Sequence, residues 1–290
     1  MQKQYPFLGH MAAIFCVFVW GTSFLISKYL MDHISPITLI PIRCFIAYIS
    51  LWIIHPVWHI NWKEEIQFLL AALFGNTLYF LTENLALTMT QTSNVSILVT
   101  TSPLMTAFIL QFSKKEDGLN WRQWLAYSIS FIGVILVVLN GVLGLKLNPL
   151  GDLLSLGSAL SWTIYSFLIL KCQTNHHSSL FVMRKIMGYG CLLSLPFLAF
   201  SENSNFSVLL TPFGFSSLAY LGVICSALCY ILWSLSIKQI GTLRTNIYIY
   251  AIPLVTMAAG ALLLSEIITL TGAIGAALIL TGMILSTRWE

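Results

Sequence analysis

Glu83, in the stretch YFLTENLALT, is the only acidic residue set well inside an apolar run of this sequence. A carboxylate at that depth in lipid costs about 2.5–3.5 kcal/mol on insertion scales, so its position calls for a function or a partner. Gly75, Tyr79, Thr82 and Glu83 recur at helical spacing and share one face. Two readings fit that stripe. Either the face lines a cavity in which Glu83 takes up a proton or the amino group of a solute, or Glu83 sits near a helix end and pairs with Lys28 or Arg43.

Aromatic and hydroxyl side chains supply a second kind of chemistry. Trp20, Ser23, Phe24 and Ser27 fall on one face of their run, and Trp162, Tyr165 and Ser166 on one face of another. Such a mix suits a pocket for a small amphipathic solute, with rings against its apolar parts and hydroxyls orienting its polar ones. Rings also anchor helices at lipid interfaces, but Trp20 and Trp162 lie mid-run. Tyr79, Tyr230, Trp233, Tyr248 and Tyr250 are further candidates for the lining, with interfacial belts as the alternative. Arg43 and Arg184 either clamp a carboxylate from opposite faces or snorkel to the two interfaces. Lys28 and Lys171, at run ends, read as interfacial anchors. Pro103 and Pro253 each remove a backbone hydrogen bond and predict a kink, either a hinge or a static bend.

The elements that hold these residues follow from composition. Of 290 residues, 58% are hydrophobic and 8% charged, against roughly 45–50% and about 25% in soluble domains. So few charges cannot clothe a water-exposed surface of this size, and a lipid-facing one needs none. Ten runs are long enough to span a bilayer as helices, in windows 8–30, 35–55, 66–88, 93–112, 121–140, 150–172, 178–200, 213–236, 244–264 and 270–287. Barrel strands would be shorter and alternating. The expected fold is an all-α integral membrane protein of ten transmembrane helices. The first run is read as an uncleaved helix and not as a signal peptide. Small residues at four-residue spacing, Ala126/Ser130 and Gly272/Ala276, predict close packing of the fifth and tenth helices, as a buttress or a dimer surface.

With the amino terminus inside, the inner side holds eleven Lys and Arg residues and the outer side only Lys28 and Lys146, setting Arg43 aside. Both termini are therefore expected in the cytoplasm. Within the chain, SFLISK (Ser23–Lys28) returns as SFLILK (Ser166–Lys171). Arg43 pairs with Arg184, Tyr48 with Tyr189, Pro103 with Pro253 and Gly133 with Gly282, at offsets of 141 to 150 residues. The order is preserved, which predicts two five-helix repeats, residues 1–144 and 145–290. Five crossings per repeat force the second to run opposite to the first. Inverted repeats of this kind rock about a midplane site in secondary transporters.

Taken together, VWGTSFLISK, SPITLIPIRCFIAY, LALTMTQTSNVSILVTTSPLMTAFI, GDLLSLGSALSWTIYSFLILK, LGVICSALCYILWSLSIKQIGTLRTNIYIYAIPLVTMAAGALLLSE and LTGAIGAALILTGMIL resemble the drug/metabolite transporter superfamily, in its ten-helix EamA-type branch. The resemblance implies export or exchange of small metabolites, often amino acids, through a central cavity. Glu266 stands where that family has an acidic residue ending its ninth helix, while the first-half counterpart is displaced into the loop SKKEDG.

The rest of the sequence narrows the classes. Cys16, Cys44, Cys172, Cys191, Cys225 and Cys229 sit in or beside apolar runs and read as small hydrophobes. His55, His59, His176 and His177 show no metal-ligand spacing, and no metal or cofactor is expected. Phosphate-cradling and nucleophile-elbow motifs are missing, so neither ATP-driven transport nor enzymatic activity is expected. The expectation is a secondary transporter in the cell's inner (plasma) membrane, as monomer or homodimer. Its partners are a small metabolite, the lipid bilayer and protons as candidate coupling ion, with no nucleic acid. Alternatives are an importer or antiporter of a larger solute such as S-adenosylmethionine or a nucleotide-like compound, and, from another class, a membrane-embedded lipid-modifying enzyme. The orientation is tested by a cysteine placed at Asn203 in a cysteine-free background. It should react with an impermeant thiol reagent added outside, and labelling from the cytoplasmic side alone overturns the topology.

Overall fold

The computed structural model describes residues 5–90, 92–112, 119–140, 148–172, 177–201, 204–264 and 267–288, without the side chains of Phe24, Lys28, Thr92, Ser93 and Leu264. Lys146, Asn203, Glu266 and the SKKEDG loop lie outside the described residues. Most of the described residues are helical. Ten segments are long and apolar enough to cross a membrane: α1 (Pro6–Met31), α2 (Pro36–Ile54), α3 (Trp62–Met89), α4 (Asn94–Gln111), α5 (Trp121–Leu139), α6 (Pro149–Cys172), α7 (Ser179–Phe200), α8 (Pro212–Ile240), α9 (Thr242–Leu263) and α10 (Leu270–Arg288). No strand occurs among the described residues. Large apolar side chains such as Phe18, Phe45, Ile53, Phe108 and Leu262 face outward, where lipid receives them.

Four of the helices are irregular in mid-length, and α7 ends in a 3₁₀ segment, Leu195–Phe200. In α3, Leu73–Leu78 is π-helical. In α8, Tyr220–Leu228 is π-helical. Helix α4 breaks after Val99 and resumes at Ser102, one residue before Pro103. Helix α9 runs through a 3₁₀ segment, Ile247–Ala251, and resumes as α-helix at Ile252, again one residue before its proline, Pro253. Both prolines are buried. The expected kinks thus take the form of interrupted helices, because each proline opens a new helical segment where its missing N–H costs nothing.

The helices pack in reciprocal fashion. Helix α1 lies against α8 and α9, while α6 lies against α3 and α4; α2 pairs with α7 and α5 with α10. The connections are exchanged in the same way. The α1–α2 turn meets the α7–α8 connection, where Asn205 N donates to His33 O at 2.9 Å and Ser35 N to Ser204 Oγ at 3.0 Å. The α2–α3 loop meets the start of α7, where Arg184 donates to His55 O at 2.6 Å. Asp152, in the first turn of α6, accepts from Asn148 N at 3.1 Å and from Thr90 Oγ1 at 3.0 Å, tying α6 to the end of α3.

Helices α5 and α10 meet backbone to backbone, and the cause is the missing side chains. A Cβ on Gly133 would stand 2.6 Å from Gly275 O and 2.7 Å from Ile279 N, both backbone atoms that cannot swing away. Ser130 Oγ reaches Ile279 O across the same face at 3.5 Å. The small faces anticipated from sequence are spent on each other. Gly133→Ala should therefore lower the thermal midpoint of the purified protein, by the equivalent of about 1–3 kcal/mol for overpacking. An unchanged melting curve sinks the close-contact account.

Candidate functional site

At the middle of the bundle, six rings from four helices pack on one another. Trp20 of α1 lies 5.5 Å (centroid to centroid) from Trp162 of α6 and 4.9 Å from Trp233 of α8. Trp162 meets Tyr79 of α3 at 5.3 Å, Tyr165 at 5.2 Å and Tyr230 of α8 at 5.9 Å. Trp162, Tyr165, Tyr230 and Trp233 are buried, and Trp20 and Tyr79 half-buried. Tilted and edge-on contacts in this distance range are the favourable ones for aromatic quadrupoles. Ring packs against ring throughout the cluster.

The irregular helices position these rings. A π-helical turn leaves backbone carbonyls without their usual helical partner, and in lipid each must find another. Gly75 O, in the π segment of α3, accepts from Tyr230 Oη at 2.9 Å. Cys225 O, in that of α8, accepts from Trp20 Nε1 at 3.2 Å. Each π segment is thus tied to a ring from another helix. Gly75 also has to be glycine, since a Cβ there would enter the Tyr165 ring. The indole N–H groups of Trp162 and Trp233 are buried without a hydrogen-bond partner.

Glu83 adjoins the cluster. Its carboxylate accepts from Tyr79 Oη at 3.2 Å, one helical turn earlier, and the residue is 9% exposed. Arg43 approaches from α2, half-buried, with its guanidinium carbon 4.8 Å over the Phe80 ring and Nε 3.4 Å from Ser226 Oγ. Among the described residues Arg43 forms no ion pair with Glu83 within 4.0 Å. The cation is instead held on a ring and a hydroxyl beside the cluster.

The chain's sequence matches the profile of the EamA-like transporter family twice, over residues 7–139 and 149–288. The chain belongs to the EamA-like transporter family. Among its relatives, an "uncharacterized transporter" of Archaeoglobus fulgidus is 26% identical, with 96% of each chain covered. A "probable amino-acid metabolite efflux pump" of Escherichia coli is 22% identical, covering 96% of this chain and 95% of that one. A crystal structure of a protein 16% identical superposes with a TM-score of 0.80 over 98% of both chains, a likeness of fold. Family and relatives mark a multi-pass membrane transporter rather than an enzyme.

In this EamA-like transporter the remaining candidates separate. Ser23 is half-buried on α1 and donates to Trp20 O at 2.8 Å, within its own helix. Tyr248 stands apart from the rings, its hydroxyl 2.8 Å from His10 Nδ1. Tyr250 packs toward α5, on Tyr127 and Phe131. Lys171 is exposed at the end of α6. Arg184 is 2% exposed and turns away from the centre: it donates to His55 O and Val57 O and stacks over Phe181 at 5.2 Å. It fastens the α2–α3 loop.

Sequence reading missed a buried polar chain beside the two helix interruptions. Asn246 Nδ2 donates to Thr106 Oγ1 at 2.9 Å, and Asn246 Oδ1 accepts from Ser166 Oγ at 3.3 Å. Thr106 and Thr163 both donate to Ser102 O, at 2.9 and 3.2 Å. All of these residues are buried, so the chain links α4, α6 and α9 where α4 and α9 are broken. A lone Asn in a helix carries no signal of such partners. Asn246→Ala removes both of its side-chain bonds, while Thr106 keeps its bond to Ser102 O and Ser166 its bond to Trp162 O, a loss of about 0.5–1.5 kcal/mol per hydrogen bond. The thermal midpoint should fall accordingly, and an unchanged midpoint sinks the account of a linked polar chain.

Proposed function

We propose that the chain is a secondary active transporter that exports or exchanges a small polar or zwitterionic metabolite of the amino-acid class, by alternating access about the aromatic cluster. The observation that carries this reading is the cluster itself. Trp20 and Tyr79 come from residues before position 145, Trp162, Tyr165, Tyr230 and Trp233 from residues after it, and they meet at mid-depth. A site shared between two halves is what rocking of one half against the other can open alternately.

The chain is read as two inverted five-helix repeats, residues 1–144 and 145–290. The two family matches, the exchanged packing of α1 and α6, and the paired irregularities in α3/α8 and α4/α9 support that division. Pro103 and Pro253 act as hinges where the helices are already interrupted. The rings occupy the substrate's place, so loading requires that Trp20 and Tyr79 part from Trp162, Tyr230 and Trp233. Glu83, held by Tyr79, exchanges the coupling proton or receives the solute's amino group. Arg43 stands by as partner of a carboxylate. Both termini face the cytoplasm across the cell's inner membrane.

Counterflow of a labelled amino-acid panel in liposomes tests the reading. Wild-type protein should exchange at least one labelled solute. Trp162→Ala should raise the half-saturating concentration severalfold, and Glu83→Gln should abolish flux driven by a proton gradient while folded protein remains in the membrane. Silence across the panel removes the substrate class, and proton-driven flux undiminished in Glu83→Gln removes the carboxylate's role.

A further inference from the structure

A second constellation lies at the end of the bundle where α3 and α7 begin. His59 comes from the α2–α3 loop, Glu64 from the first turn of α3 and His177 from the residues just before α7. Glu64 Oε2 stands 2.9 Å from His177 Nε2 and 3.8 Å from His59 Nε2, and one ligand atom from each of the three lies within 4.8 Å of the others. Four-coordinate zinc holds nitrogen and oxygen ligands at about 2.0–2.2 Å, which sets ligand atoms about 3.3–3.5 Å apart. The observed separations bracket that value. Two imidazoles and one carboxylate are also a donor set that borderline metals favour.

The surroundings hold the three residues in place. His177 packs its ring on Phe181 at 4.7 Å and on Phe68 at 6.5 Å. Asn61 caps α3 by accepting from Lys63 N at 3.3 Å, which fixes the turn bearing Glu64. Arg184 grips the carbonyls of His55 and Val57, and so the loop that presents His59. Below, Glu65 takes Lys185 Nζ at 2.7 Å and Tyr189 Oη at 2.5 Å, binding α3 to α7. Arg184 and Lys185 are thereby engaged elsewhere and do not occupy Glu64. The side chain of His59 is 49% exposed, which leaves an entry path and room for a fourth, solvent ligand.

We propose that His59, Glu64 and His177 bind a divalent transition-metal ion of the zinc class, separate from the aromatic site. Because Glu64 and His59 precede position 145 and His177 follows it, a bound ion cross-links the two parts of the chain at one face of the membrane. It would do so just outside the Glu65–Lys185 pair, adding a clamp that comes and goes with metal supply.

Untagged purified protein in detergent is titrated with Co²⁺, whose visible absorption intensifies in tetrahedral sites, and then with Zn²⁺. One Co²⁺ per chain should bind with that absorption and be displaced by Zn²⁺, and Zn²⁺ should raise the thermal midpoint. His59→Gln and His177→Gln should each weaken binding by more than the about 10–100-fold typical of losing a group behind a ligand. Glutamine keeps a polar side chain at both positions, and single-peak elution verifies folding. His33→Gln, at the opposite end of the bundle, should bind as wild type does. Absence of saturable Co²⁺ uptake by folded wild-type protein, or uptake unchanged in the His59→Gln/His177→Gln double variant, overturns the proposal and leaves a hydrogen-bonded His177–Glu64 pair only.

Discussion

Hydrocarbon offers a backbone nothing to bond with, and every departure from a regular helix must be satisfied by the protein itself. That constraint organises the whole centre of this transporter. The π turns of α3 and α8 are tolerable because Tyr230 and Trp20 bond Gly75 O and Cys225 O. The break in α4 is tolerable because Thr100 and Thr101 turn their hydroxyls onto Ile97 O and Leu98 O, carbonyls at the end of the first segment. Irregular backbone and buried polar side chains are therefore one feature seen twice. Where helices are least regular, the candidate site is found.

The same side chains join the architecture to the chemistry. Tyr79 packs on Trp162 and donates to Glu83, so any shift of the rings is felt at the carboxylate. Helices α5 and α10, by contrast, lock backbone to backbone at the periphery and contribute no ring to the cluster. The outer pair is regular and tightly packed, whereas the centre is built of interrupted helices.

Much of this was legible in the sequence, for physical reasons that differ by feature. The ten helices declared themselves because crossing lipid demands long apolar runs. The start of α3 was placed at 66 and observed at Trp62, since its first turn, WKEE, is polar and its Glu65 is buried only through Lys185 and Tyr189. Trp20 and Trp162 were read as cavity rings from their position within apolar runs, and Trp233 only as a further candidate beside an interfacial role. Tyr248 looked the same and is not in the cluster, because helical register alone does not reveal that His10 faces it. The π segments left no trace in composition; they exist through partners more than a hundred residues away. The histidine–glutamate trio was invisible for the same reason, since its members lie on separate elements.

The indole groups of Trp162 and Trp233 carry one further implication. Both are proton donors enclosed among rings, with no acceptor to receive them, and an idle donor in dry surroundings is penalised by about 1–3 kcal/mol. A guest bringing a carbonyl or carboxylate oxygen to that spot would lift the penalty, whereas an aliphatic guest of equal bulk would leave it standing. On the proposed transport reading, the two indoles thus favour a solute that carries an acceptor oxygen over an aliphatic one.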